Sequence, residues 1–84
     1  MTTISVDPNV LASTNGYLVA DARGRIVGRV EAASAAPDAQ LRLTVRGRLP
    51  WRRRRVVLAS DVADVDQATE VVALRVERDD LRRP

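Results

Sequence analysis

"YLVADARGRIVGRVEAAS", residues 17–34, is the stretch whose reading decides the fold. Tyr17 to Asp21 is short and apolar, and Ile26 to Ser34 resumes the same character after "ARGR". Branched aliphatic side chains suit a pleated, half-buried surface. Between the two runs, Gly24 supplies a residue that takes positive φ at no steric cost. The whole therefore reads as a β-hairpin. Gly28, inside its second strand, marks a sharp bend or a close approach of another backbone.

Working outward, Asp7 before Pro8 has the form of a helix N-cap followed by the first helical position that tolerates proline. Gly16 after Asn15 has the form of a left-handed stop. A short helical turn is expected over 8–14. Beyond the hairpin, residues 35–40 make a loop, and "LRLTVRG" then alternates. Leu41, Leu43 and Val45 point one way, and Arg42, Thr44 and Arg46 the other, the period of a sheet with one wet face. Gly47 and Pro50 interrupt it, and Pro50 lacks the N–H a central strand needs, so 47–52 is a connection. "RRVVLAS", 54–60, is the next strand. Ser60 or Asp61 then caps a helical turn over 61–65, with Val62 and Val65 three apart on its inner side. "EVVALRVE", 70–77, is the last strand, and "RDDLRRP" ends in a turn whose Leu81 plugs the core.

These segments predict an all-β fold, a small five-stranded antiparallel barrel or strongly curled sheet with helical turns near 8–14, 61–65 and the C-terminus. Residues 1–84 are one domain, with 1–10 and 82–84 as flexible ends. Its core must come from 13 Val, 8 Leu and 2 Ile, since Phe is absent and Trp51 and Tyr17 occur once each. The absence of cysteine and histidine removes disulfides, thiolate metal sites, the commonest general base and the commonest neutral metal ligand. No catalytic residue, cofactor site or metal site is expected, and the protein reads as no enzyme. Asp61, Asp64, Asp66 and Glu70 fail as a calcium loop, which needs ligands at positions 1, 3 and 5 with Gly at 6 and Glu at 12, and read as solvated or paired with arginine. No apolar run approaches the ~20 residues that span a bilayer, and "MTTISVDPNVL" is unlike a signal peptide. A soluble cytoplasmic protein is expected.

All 14 basic residues are arginine. Six of them fall within 46–55, where there is no acid, so the other 74 residues hold 8 Arg against 11 acids. The net charge of +3 is thus a local patch on a mildly acidic body. Arg46, Arg48, Trp51, Arg52, Arg53, Arg54 and Arg55 are the candidate partner-binding residues. Val71, apolar on the polar side of an alternating strand, joins them, either as a self-association patch or as a residue at the open end of a barrel. The segment Ile4 to Leu11 offers further apolar surface.

The hairpin "NGYLVADARGRIVGRVEAAS" and the downstream "VVLASDVADVDQATEVVALRV" together resemble the PRC-barrel family, named for the photosynthetic reaction centre H subunit. Gly16, Val19, Gly24, Gly28 and Val30 fall on the family's leading pattern, and Ser60, Asp61, Val62 and Leu81 on its trailing one. The resemblance covers residues 11 to 81. It implies a small β-barrel used as an adaptor, docking a ribosomal protein in the ribosome maturation factor and packing on membrane-embedded partners in the H subunit, with single-domain versions in prokaryotes. None of those roles transfers position by position. The expected function is a non-catalytic protein-binding module, self-associating as a homodimer. The alternative is an RNA- or ribosome-associated module using Arg46 to Arg55. It is disfavoured because single-strand readers line a basic groove with several aromatics, and here only Trp51 and Tyr17 are available.

Overall fold

The hairpin forms as its sequence dictates: β1 (Leu18–Ala20) runs antiparallel to β2 (Ile26–Ala35), and Gly24 turns the chain at φ +79°. The computed structural model describes residues 8–35, 41–47 and 53–81. β3 (Leu41–Arg46) pairs antiparallel with β2, and β4 (Arg54–Leu58) with β3. β5 (Val62–Asp66) and β6 (Val71–Leu74) form a second hairpin, and β6 lies parallel to β1. One six-stranded sheet results, in the order β4-β3-β2-β1-β6-β5.

The two edge strands are neighbours in the chain. Only a 3-10 turn, Ala59–Asp61, separates the end of β4 from the start of β5. Laid flat, six strands would hold these edges roughly 24 Å apart, whereas the four Cα steps from Leu58 to Val62 span at most about 14 Å. The sheet must therefore curl until its edges approach at that corner, and the fold is all-β and barrel-like. Asp61 fixes the corner by accepting the Leu58 amide at 3.0 Å.

Inside the curl, Val19, Val27, Val30, Leu43, Val45, Val57, Val62, Val72 and Leu74 make a core of branched aliphatics. Helix α1 (Pro8–Ala12) adds Leu11, and the turn Arg78–Asp80 presents Leu81 at the other end of the chain. The alternation of β3 is realised, with Leu43 and Val45 buried between exposed Arg42 and Arg46. Gly28 is the close approach its position implied, because a Cβ there would overlap the Arg46 carbonyl.

The structure departs from the sequence reading in three places. There are six strands rather than five, and β1 and β6 form a parallel pair. The extra strand, β5, occupies the segment expected to be a helical turn over 61–65, while the 3-10 turn sits just before it. The reason is a bulge. The register slips between Val62 and Asp64, so Val62 pairs with Leu74 and Val65 with Val72. One extra residue in a strand brings two side chains three apart onto the same face, and that mimics helical spacing. Leu11, expected at an apolar surface, is instead 1% exposed in the core. Residues 1–7 and 82–84, most of the ends expected to be flexible, lie outside the described residues.

Candidate functional site

Register determines which side chains share the outer face. Arg29 on β2 is opposite Arg46 on β3, and Arg46 is opposite Arg54 on β4. Three guanidinium groups thus stand in one row across three adjacent strands, where directly opposed side chains have Cβ atoms roughly 4.5–5.5 Å apart. Arg42 lies on the same face four residues from Arg46 along β3. At the stem of the β3–β4 connection the Gly47 amide donates to the carbonyl of exposed Arg53 at 2.7 Å, which fixes the backbone that leads into β4.

Two of these arginines are tethered. Arg29 Nη1 donates to the Gly16 carbonyl at 3.0 Å, and Arg54 Nε lies 3.2 Å from both carboxylate oxygens of Glu31, the bulge residue of β2. The side chains of Arg42, Arg46 and Arg53 make no hydrogen bond or ion pair with another described residue. Arg55 points to the inner side, opposite Val45, and is half-buried. Of the candidate residues, the structure therefore brings Arg46 and Arg54 together on the outer face and turns Arg55 away from them, while Arg53 is exposed just before β4. Arg48, Trp51 and Arg52 lie outside the described residues. Arg29, absent from the sequence-based set, completes the row, because only the β2–β3 register reveals it.

Val71 has neighbours of its own kind. It pairs with Leu18, and two residues further on Ala73 pairs with Ala20, which is opposite Ile26. All five are half-buried on the outer face. An apolar strip thus runs over β6, β1 and the start of β2, flanked by exposed Asp64 and Asp66 on β5 and by Arg29 on β2. Tyr17, the one described aromatic, is half-buried against the core.

A third charged region lies where the β1–β2 turn meets the C-terminal turn. Asp21 is 4% exposed, and its carboxylate accepts four N–H groups. The Arg23 and Arg25 amides donate to Oδ1 at 3.0 and 2.8 Å, and the Arg78 amide and Arg25 Nε to Oδ2 at 2.8 and 3.0 Å. Burial alone would raise the Asp21 pKa, but the donors from Arg78, Arg25 and Arg23 outweigh it and hold the carboxyl at about 2, below the ordinary 3.8. Around it, Arg23 and Arg25 reach Glu77 at 3.4 and 3.7 Å, and Arg25 and Arg78 both reach Asp79 at 3.9 Å. This corner clamps residues 57 apart in sequence. The acids of 61–70 also have local duties: Asp61 holds the β4–β5 corner, and Asp66 caps the next turn by accepting the Ala68 and Thr69 amides. The Thr69 amide and hydroxyl, followed by the Ala68 amide, keep the Asp66 pKa below its ordinary value against the opposing effect of burial.

These features define the class as a small all-β, barrel-like module with charged and apolar strips on its outer face. The same fold occurs in a protein from Pseudomonas aeruginosa assigned as the 16S ribosomal RNA processing protein RimM. The two superpose with a TM-score of 0.69 at 19% identity, over 93% of this chain and 50% of that one. The chain thus spans half the length of that protein, and the likeness supports a PRC-barrel-like fold. No family model matches the sequence, and no curated protein matches it. No helix among the described residues is long and apolar enough to cross a membrane.

Proposed function

We propose that this chain is a non-catalytic adaptor of PRC-barrel type that binds another protein through the apolar strip on β6, β1 and β2, working in the cytoplasm, whose reducing conditions suit a cysteine-free chain. The observation that carries the reading is the strip itself. Leu18, Ala20, Ile26, Val71 and Ala73 share the outer face of three adjacent strands, where a sheet packed on one side only would carry polar groups. Apolar patches rimmed by polar residues mark docking sites. Copurification compares the wild-type chain with Val71→Asp and with a triple Arg46→Ser, Arg53→Ser, Arg54→Ser variant. The reading expects Val71→Asp to lose bound protein while the triple variant keeps it, with both circular dichroism spectra unchanged. Protein binding that ignores Val71→Asp refutes it.

A second reading has its own observation, the row Arg29, Arg46, Arg54 with Arg42 on the same face and exposed Arg53 just before β4. Such a strip suits a phosphate backbone, and the structural neighbour is assigned to 16S ribosomal RNA processing. Against it, Glu31 neutralises Arg54, and Tyr17 is engaged with the core rather than presented for stacking. Titration of single-stranded and duplex RNA at about 0.15 M salt, where the Debye length is about 8 Å, separates the readings. Each phosphate neutralised adds roughly 0.7 to 0.9 to the slope of log affinity against log salt. The adaptor reading expects weak, indiscriminate binding. Submicromolar binding abolished in the triple variant makes the arginine row the functional surface.

A further inference from the structure

The apolar strip has unlike rims. Across one level of the sheet the outer face reads Asp66 on β5, Val71 on β6, Leu18 on β1 and Arg29 on β2. One level on, it reads Asp64, Ala73, Ala20 and Ile26. The β5 side is acidic, the middle apolar and the β2 side basic.

A surface of this kind is complementary to itself in only one of two simple arrangements. Two copies packed face to face are related by a two-fold axis in the plane of contact. With that axis across the strands, β5 would meet β5 and acid would face acid. With the axis along the strands, β5 of one copy meets β2 of the other. Asp66 then faces Arg29 at the same level, twice over, while Leu18 and Val71 exchange partners in the centre. Because β1 and β6 are parallel, both apolar strands present the same direction to the second copy. Both rim groups are held in place beforehand, Arg29 by the Gly16 carbonyl and Asp66 by the turn it caps. Like charges juxtaposed at an interface suppress the wrong pairing, so the rims set the orientation and the strip supplies the buried area.

We propose that the occupant of the strip is a second copy of this chain, paired about a two-fold axis parallel to β1 and β6, with Asp66 of each copy against Arg29 of the other. This rests on the reading of the strip as a docking face and adds its partner and orientation.

The test is charge reversal with rescue by mixing, followed by sedimentation velocity of the full chain from millimolar to micromolar concentration. Arg29→Glu alone places two Glu–Asp contacts in the dimer, and Asp66→Arg alone places two Arg–Arg contacts. Each should weaken self-association by about tenfold or more. An equal mixture should restore a dimer, since every rim contact in the mixed pair again joins opposite charges. Because Asp66 also caps a turn, circular dichroism checks its fold, and Ala73→Arg provides a second variant in the middle of the strip that must abolish the dimer. A dimer lost in each single variant and regained on mixing establishes the arrangement. A wild-type chain that stays monomeric throughout, a dimer indifferent to Ala73→Arg, or single variants that fail to rescue each other overturns it. In the monomeric case a copurifying protein lost in Val71→Asp would leave the docking face standing, so failure of the dimer and failure of the docking face are told apart.

Discussion

At the Asp21 corner a buried carboxylate accepts four N–H groups, and the surrounding arginines reach Glu77 and Asp79. At the Arg46–Arg54 step, two guanidinium groups stand side by side on adjacent strands, and one carboxylate, Glu31, pairs with Arg54 alone. Both regions are arginine-rich. They differ in what the charge does: in the first it joins the β1–β2 turn to the turn after β6, and in the second it faces solvent and stabilises nothing in proportion to its amount. A count of charges therefore says little about function until the register shows which are committed to the fold. Here the committed ones surround Asp21, while the side chains of Arg42 and Arg46 on β3 and of Arg53 before β4 have no hydrogen-bond or ion-pair partner among the described residues.

Substitutions test that contrast, and the shared core sets the scale. Leu43 is buried beneath β3, so Leu43→Ala should cost about 2 to 5 kcal/mol in denaturant unfolding. Both charged regions rest on that core and should lose stability together. Asp21→Asn should be the most damaging of the charge substitutions, because a neutral amide replaces a carboxylate matched to four donors. Its thermal midpoint should fall well below that of any variant on the arginine row.

The pH dependence sharpens the same point. The Asp21 carboxyl is held at about 2 in the folded chain against an ordinary 3.8. A carboxyl depressed on folding contributes stability that is present above its unfolded pKa and lost as pH falls through the folded value. Stability should therefore drop between about pH 4 and pH 2, and Asp21→Asn should flatten that limb. An unchanged acid limb in the variant would show that the corner is not the titrating element. Asp66, shifted in the same direction, contributes on the same side.

The arginine row should yield the smallest effects. Arg54→Ser removes an ion pair with Glu31 whose partners are 55% and 35% exposed, and should cost about 1 kcal/mol or less. Arg46→Ser should lie within about 0.5 kcal/mol of the wild type, since it removes no hydrogen bond or ion pair with a described residue and relieves like charges opposite one another. A large loss at Arg46 would break the contrast by showing that this charge, too, is committed to the fold.

Much of the fold was legible because it depends on local pattern. The 17–34 hairpin, the 41–46 alternation, the turn glycine at 24 and the close approach at Gly28 each follow from neighbouring residues. β5 was hidden because a bulge at Ala63 gave Val62 and Val65 the spacing of a helix. The Asp21 clamp was hidden for a different reason: its decisive donor, the Arg78 amide, lies 57 residues away and no sequence period announces it. The site was half legible. Val71 stood out as misplaced, but its company of Leu18, Ala20, Ile26 and Ala73 emerges only once β1 lies between β6 and β2. The arginine run stood out by composition, yet its spatial extent excludes Arg55 and includes Arg29, because side chains alternate faces along a strand and line up across strands.

The central claim, that the apolar strip rather than the arginine row is the docking face, is tested most directly by amide chemical shifts of the isotope-labelled chain. Spectra are followed from micromolar to millimolar concentration and again as RNA is added at about 0.15 M salt. The account predicts that concentration shifts Leu18, Ala20, Ile26, Val71 and Ala73 together, with Arg29 and Asp66 at the rims, while RNA leaves Arg42, Arg46, Arg53 and Arg54 nearly unmoved. Saturable RNA-induced shifts on those four arginines, with the strip silent at every concentration, would contradict it.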